Sequence, residues 1–122
     1  MKLNHLDLPV RDIPANVAFL ERYFGLRLQA QKPSSALAIL TDGHGFVLVL
    51  QQRADTSDVY RENLHIGFLL DDVESVRQLH ARARADGANV SDVIVNGRGT
   101  MVYFTAPDGY SVEVACQRVR FD

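Results

Sequence analysis

The chain has 122 residues, of which 47% are hydrophobic and 23% charged, a size and balance that suit one globular domain. The net charge of −2 comes from scattered acidic and basic residues, which argues against a nucleic-acid partner and against a polybasic membrane contact. No apolar run approaches the roughly 20 residues of a membrane span, and a single cysteine, Cys116, excludes an intrachain disulfide, so we expect a cytoplasmic protein.

The first half of the chain predicts a strand, a helix and three further strands. The strand covers residues 3–10. The helix is opened by Asp12 and Pro14 and closed by Gly25, which are favourable residues at those helix positions. A loop at Lys32-Pro33-Ser34 interrupts the strands that follow, which are predicted at Leu26–Gln29, Ala36–Thr41 and Phe46–Gln51.

A polar linker at residues 53–62 precedes a second series of the same kind. Its helix is capped by Asp72 and ends near Asp86 and Gly87. Its strands are predicted at Leu64–Leu70, Asn89–Val95, Met101–Thr105 and Ser111–Cys116. We therefore predict an α+β fold of two βαβββ modules, module one at residues 1–52 and module two at residues 63–122, within a single domain.

The two series share a sequence repeat. Residues 3–13 read LNHLDLPVRDI and residues 63–73 read NLHIGFLLDDV, so that His5 aligns with His65 and Asp12 with Asp72. A histidine at the same strand position in each copy predicts two ligands of one metal site, brought together by pseudo-twofold symmetry.

Strand alternation predicts a third ligand. His5 and Asp7 share the face opposite the apolar side of the first strand, and Glu113 lies between two valines on the corresponding face of the last strand. A carboxylate there is costly to bury unless it is paired or bound to metal. Two histidines and one carboxylate with open positions suit Fe(II), and would also accept Mn(II), Zn(II), Ni(II) or Co(II). The symmetry mate of Glu113 is Val49.

Four motifs, NHLDLPVRD, YFGLRL, LHIGFLLDDVESV and APDGYSVEV, occur in an order and spacing that resemble the vicinal oxygen chelate superfamily. That group includes glyoxalase I, extradiol dioxygenases, methylmalonyl-CoA epimerase, fosfomycin-resistance thiol transferases and bleomycin-binding proteins. The resemblance covers essentially the whole chain. It implies paired modules that form a cupped, eight-stranded barrel-like sheet with helices outside, and a divalent metal, Fe(II) or Mn(II) by preference, that chelates neighbouring oxygens of a small-molecule substrate.

The resemblance also implies roles for individual residues. The metal ligands are His5, His65 and Glu113. The fourth ligand of glyoxalase I and of the epimerase falls on Val49, which counts against their chemistry, although Gln51 on the same face leaves a shifted ligand open. Position along the strands and loops adds further candidates: Tyr103 and Asp7 as catalytic residues, and Arg98, Gln51 and Val49 as substrate-binding residues.

Several functions follow as hypotheses from this pattern. The first is a metal-dependent enzyme of the glyoxalase/dioxygenase type. The alternatives are a non-catalytic protein that sequesters an antibiotic, as bleomycin-resistance proteins do, a thiol transferase similar to fosfomycin-resistance enzymes, and a structural remnant with a closed substrate cleft. The family resemblance also implies a homodimer, and leaves open whether the metal site lies within one chain or is shared by two.

Overall fold

The structure is a computed structural model that describes residues 1–32, 36–56, 59–60 and 64–120. Of the predicted loop Lys32-Pro33-Ser34, the first residue lies in a strand instead, and the other two lie outside the described residues, as does part of the predicted linker. The chain divides into two compact units, Met1–Arg61 and Glu62–Asp122. Within its described residues, each unit contains one strand, one helix and three further strands, which confirms the α+β class and the two βαβββ modules. That both modules form a single domain stays a prediction.

The elements alternate in the predicted order. In module one they are β1 (His5–Val10), α1 (Ile13–Phe24), β2 (Arg27–Lys32), β3 (Leu37–Thr41) and β4 (Val47–Gln52). In module two they are β5 (His65–Leu69), α2 (Val73–Ala85), β6 (Ile94–Asn96), β7 (Gly99–Thr105) and β8 (Ser111–Gln117). Among the described residues, neither helix has the length and apolar character that a membrane span requires.

The strands form two four-stranded sheets of matching topology, in the orders β1-β4-β3-β2 and β5-β8-β7-β6. The first strand of each module is parallel to the last strand, and the other neighbours are antiparallel. Asp7 pairs with Val49 in one sheet, and Gly67 pairs with Glu113 in the other. This register confirms that Val49 is the positional equivalent of Glu113.

Both helices begin at the predicted caps. The Asp12 carboxylate accepts a hydrogen bond from the Ala15 backbone nitrogen at 3.0 Å, and Asp72 accepts one from Ser75 at 2.7 Å. These bonds satisfy backbone donors that a helix start otherwise leaves unpaired. Gly25 ends α1 in the left-handed region with φ of 69°, where a side chain would be strained.

Each sheet buries one face beneath its own helix. α1 packs against β2, β3 and β4, and α2 packs against β7 and β8. Alternation along each strand then turns the polar residues to the opposite face, as in β1, where Leu8 and Val10 are buried while His5 and Asp7 are exposed. In β8, Val112 and Val114 are buried on the helix side.

One strand is shorter than its prediction. The pattern at Asn89–Val95 predicts a continuous strand, but β6 covers only Ile94–Asn96. Val90 forms an isolated bridge to Phe104, and the Ser91 hydroxyl accepts a hydrogen bond from the Tyr103 backbone nitrogen at 2.9 Å. The Tyr103 nitrogen thus bonds to a side chain rather than to a backbone carbonyl, and the register shifts by one residue between the Val90–Phe104 bridge and the Ile94–Met101 pair, which hydrophobic pattern alone does not reveal.

Candidate functional site

Module two brings His65 and Glu113 together. The two residues lie on the neighbouring parallel strands β5 and β8, and His65 Nε2 is 3.0 Å from Glu113 Oε2. The side chain of His65 is 43% exposed and that of Glu113 is 14% exposed. The Glu113 carboxylate is therefore mostly shielded from water, whereas the His65 side chain is partly exposed to it.

Gly67 makes room for this carboxylate. A Cβ at Gly67 would lie 3.2 Å from the Glu113 carbonyl oxygen and 3.5 Å from the Glu113 Cβ. Both contacts are with the residue directly across the strand pair, so a larger residue would press on Glu113. Glycine at this position leaves the sheet surface beside the carboxylate free.

Tyr103 and Arg98 complete the polar group of module two. Tyr103 is paired directly with Glu113 between β7 and β8, so the two side chains share a sheet face. The rings of Tyr103 and His65 meet edge to face, with centroids 6.1 Å apart. Arg98 Nη2 donates to the Tyr103 hydroxyl at 3.3 Å and contacts the Met101 sulfur at 3.1 Å.

The environment of Arg98 favours its charged form. The pKa of Arg98 is raised above its ordinary value, first by the hydrogen bond to the Tyr103 hydroxyl and then by electrostatic attraction to Tyr103 and Glu113. Arginine is already protonated at physiological pH, and this shift keeps it so. A fixed positive charge therefore stands beside the Tyr103 hydroxyl.

A cavity of about 300 Å³ opens at this group and is lined by Leu64, His65, Tyr103 and Ser111. Its volume lies at the lower end of the range for small-molecule sites. Sequence reasoning did not select Ser111 or Met101 as functional. Strand alternation could have identified both residues. Ser111 lies two residues from Glu113, and Met101 lies two residues from Tyr103, each on the same face of its strand.

Module one carries the other predicted residues. His5 and Asp7 are exposed on the same face of β1, and Val49 on β4 is 9% exposed. Gln51 Nε2 donates to Asp7 Oδ2 at 2.5 Å. Gln51 thus directs its amide nitrogen at a carboxylate.

The donors of module two fit a divalent ion. Two adjacent ligands of an octahedral ion with bonds of about 2.1 Å lie about 3.0 Å apart, which matches the His65–Glu113 separation of 3.0 Å. An imidazole and a carboxylate are also a donor pair that Mn(II), Fe(II) and Zn(II) accept. Within residues 1–32, 36–56, 59–60 and 64–120, no three His, Cys, Asp or Glu side chains converge on one point.

Comparison with known proteins identifies relatives of this chain in sequence and in structure. A profile of the Glyoxalase/Bleomycin resistance protein/Dioxygenase superfamily matches residues 2–114. A solved structure of a possible glyoxalase from Bacillus cereus superposes with a TM-score of 0.85 and 32% identity, covering 95% of this chain and 99% of its own. No curated protein matches the chain.

Fosfomycin resistance proteins share the fold. FosX from Listeria monocytogenes superposes with a TM-score of 0.80 at 23% identity, covering 98% of this chain and 95% of its own. A variant of that protein, solved with Mn(II) and 1S,2S-dihydroxypropylphosphonic acid, gives a TM-score of 0.80 at 22% identity, covering 97% and 91%. The profile match and the Bacillus relative confirm the family resemblance that the sequence motifs indicated. The chain belongs to the Glyoxalase/Bleomycin resistance protein/Dioxygenase superfamily.

Proposed function

We propose that the protein is a divalent-metal-dependent enzyme of the glyoxalase/dioxygenase type that acts on a small molecule with two neighbouring oxygens. The observation that carries the proposal is the His65–Glu113 pair, whose donor atoms are 3.0 Å apart and whose histidine lines a cavity of about 300 Å³. The Mn(II) complex of the Listeria protein supports the proposal at the level of the family.

The proposed ligands are His65 and Glu113, with His5 as the second imidazole, contributed by the same chain or by a second copy. Two imidazoles and a carboxylate with open positions favour Fe(II) or Mn(II), and Zn(II), Ni(II) and Co(II) are the alternatives. When bound, such an ion supplies Lewis-acid stabilisation of negative charge on the substrate oxygens.

Tyr103 is the proposed proton donor. Tyr103 lines the cavity, and its hydroxyl accepts a hydrogen bond from Arg98 and donates to the Met101 sulfur at 3.8 Å, so a substrate oxygen would take the place of that sulfur as the acceptor. The neighbouring positive charge stabilises the phenolate that remains after the proton has been given to a substrate oxygen. Arg98 therefore acts through Tyr103, and it also offers donors to an anionic substrate group.

Asp7 is the proposed proton acceptor on module one. Gln51 holds its carboxylate by one oxygen, which fixes the orientation of the other oxygen. Val49, the cross-strand partner of Asp7, is 9% exposed, and we propose that it gives a small apolar contact to a substrate carbon skeleton. Gln51 and Val49 are therefore proposed to position the substrate, and neither is proposed as a metal ligand.

A second candidate is an enzyme of the fosfomycin-resistance type. The observation that favours it is Arg98, whose guanidinium stands beside the cavity residue Tyr103 and next to the charge of Glu113. A fixed cation of this kind suits a phosphonate or another small anion.

We further propose a cytoplasmic homodimer. The support for this location is that the sequence has a single cysteine, Cys116, and so no intrachain disulfide to form. Light scattering of the purified protein tests the dimer, and a monomer at micromolar concentration would contradict it.

The enzyme proposal is tested by loading the protein anaerobically with Fe(II) or with Mn(II) and assaying catechols, hemithioacetals and epoxides, the last with and without a thiol. We expect turnover in one class and its loss in His65→Ala. The control is His44→Ala, which removes an exposed histidine of the β3–β4 hairpin and is expected to leave turnover unchanged. A protein that takes up no metal but binds a small molecule tightly would instead be a sequestering protein.

A further inference from the structure

We propose that Asn96 is a site of spontaneous modification, at which the side-chain amide is lost and an aspartate or isoaspartate remains. The site is the turn between β6 and β7, where Asn96 is followed by Gly97 and both residues are exposed. The reaction needs water as its only co-reactant. All of the residues involved belong to module two.

The reaction is an attack within the chain. The Gly97 backbone nitrogen gives its proton to solvent and forms a bond to Asn96 Cγ. The bond from Cγ to Nδ2 then breaks, and Nδ2 takes up a proton and leaves as ammonia, so that a cyclic succinimide remains. Water opens this ring at either carbonyl, and no group is oxidised or reduced. The product carries a negative charge where the amide was neutral.

Gly97 leaves the attacking nitrogen accessible. A Cβ at this residue would meet no described atom within 4 Å, and glycine has no side chain of its own to hinder ring closure. Among the residues that the structure describes, the Gly97 N–H donates no backbone hydrogen bond, since the strand pairing ends at Asn96 and Gly99. The nitrogen therefore gives up no such bond before it attacks.

A backbone hydrogen bond prepares the carbon that is attacked. The Arg98 backbone nitrogen donates to Asn96 Oδ1 at 2.9 Å. This bond closes an Asx turn, which folds the side-chain amide back toward the peptide that follows it. Oδ1 becomes an oxyanion when the nitrogen attacks, and an N–H already in place stabilises that charge. The same bond therefore positions Cγ and activates it.

Arg118 stabilises the attacking group. Its Nη2 donates to the Asn96 carbonyl oxygen at 3.4 Å. That carbonyl and the Gly97 nitrogen belong to one peptide group, so negative charge left on the nitrogen is shared with this oxygen by resonance. A guanidinium stabilises such a charge. The Arg118 backbone nitrogen also donates to the Arg98 carbonyl oxygen at 2.8 Å, which holds Arg118 beside the turn.

The modification alters the turn that carries Arg98, and this consequence rests on the proposed function, in which Arg98 binds an anionic substrate group. An aspartate at position 96 adds a negative charge, which opposes an incoming anion. An isoaspartate adds a backbone carbon to a hairpin in which Asn96 pairs with Gly99, and so disturbs the turn. Loss of the amide therefore weakens anion binding irreversibly as the protein ages.

Peptide mass spectrometry of the protein, incubated at neutral pH and sampled over time, measures the reaction as a gain of about 1 Da. Asn89 is the internal control, because it is exposed but precedes the β-branched residue Val90. We expect Asn96 to react at least about tenfold faster than Asn89, whose following nitrogen is shielded by that side chain. Equal rates at the two asparagines would overturn the proposal.

Variants test the assigned roles. Gly97→Ala is expected to slow the reaction about tenfold by crowding the nitrogen, and Arg118→Gln is expected to slow it severalfold. Arg77→Gln, which removes an exposed arginine of α2, should react as the wild type does. An unchanged rate in Gly97→Ala would contradict ring closure at this peptide, and an unchanged rate in Arg118→Gln would contradict the role of its guanidinium.

Calorimetry with methylphosphonate tests the consequence for Arg98 separately. Asn96→Asp copies the aspartate product, and we expect it to bind methylphosphonate severalfold more weakly than the wild type. Equal affinity would overturn the effect on anion binding. A wild type that binds no methylphosphonate would overturn both that effect and the anion role of Arg98, while the rates at Asn96 would still decide the modification itself.

Discussion

Replacing Gly67 with aspartate would place a second carboxylate beside Glu113. The new Cβ would lie 3.2 Å from the Glu113 carbonyl oxygen and 3.5 Å from its Cβ. Gly67→Asn adds nearly the same volume without the charge. The difference in stability between the two variants therefore isolates the repulsion between the carboxylates.

The magnitude follows from this geometry. Two like charges about 4 Å apart repel by about 1 kcal/mol in a water-like medium and by about 4 kcal/mol at an effective dielectric constant of 20. Because position 67 is exposed and the Glu113 side chain is 14% exposed, we expect a value near the lower limit, about 1–2 kcal/mol. This corresponds to a melting temperature roughly 4–8 °C lower for Gly67→Asp than for Gly67→Asn.

Urea unfolding at pH 7, without metal, measures the difference. Saturating Mn(II) is expected to narrow the gap at pH 7, because a cation between the carboxylates screens them. Equal stability of the two variants at pH 7 without metal would refute the placement of these side chains in one cross-strand pair.

Three further predictions concern other residues. Arg98→Gln is expected to weaken binding of small anions such as methylphosphonate roughly tenfold or more, as measured by calorimetry, and unchanged affinity would contradict the anion role. Hydrogen bonds from the Ser75 backbone, and then from its side chain, lower the pKa of Asp72 from its ordinary value of 3.8. Asp72→Ala should therefore be less stable than the wild type at pH 7, and this difference should disappear as the pH falls through the lowered pKa. A difference in melting temperature that does not change with pH would contradict this. Gly99→Ala would put a Cβ 2.1 Å from a backbone oxygen at a φ of 144° and should cost at least about 2 kcal/mol in urea unfolding, whereas Gly97→Ala meets no atom within 4 Å and serves as its control.

Much of the scaffold follows from local sequence signals. Asp12 and Asp72 cap the helices as predicted, because a short acidic side chain before an apolar stripe specifies a helix start. The repeat also predicts that Val49 replaces the mate of Glu113, and the strand register confirms it. These features depend on period and position, which the sequence contains directly.

The side-chain contacts of the site are harder to predict from the sequence. The hydrogen bond between Gln51 and Asp7 joins residues 44 positions apart, and it depends on the register of two strands. The contact between Arg98 and Tyr103 depends on the turn that precedes β7. Alternation predicts which face such residues occupy, but rotamers decide which of them meet.

Metal stoichiometry tests the central claim most directly. Equilibrium dialysis against Mn(II) or Fe(II), followed by elemental analysis, is applied to the wild type, to His65→Ala and to Glu113→Gln. The account predicts about one ion per chain in the wild type, and a loss of most of it in both variants, because each removes one ligand of the 3.0 Å pair. A wild type that retains neither ion, or variants that retain it fully, would contradict the account.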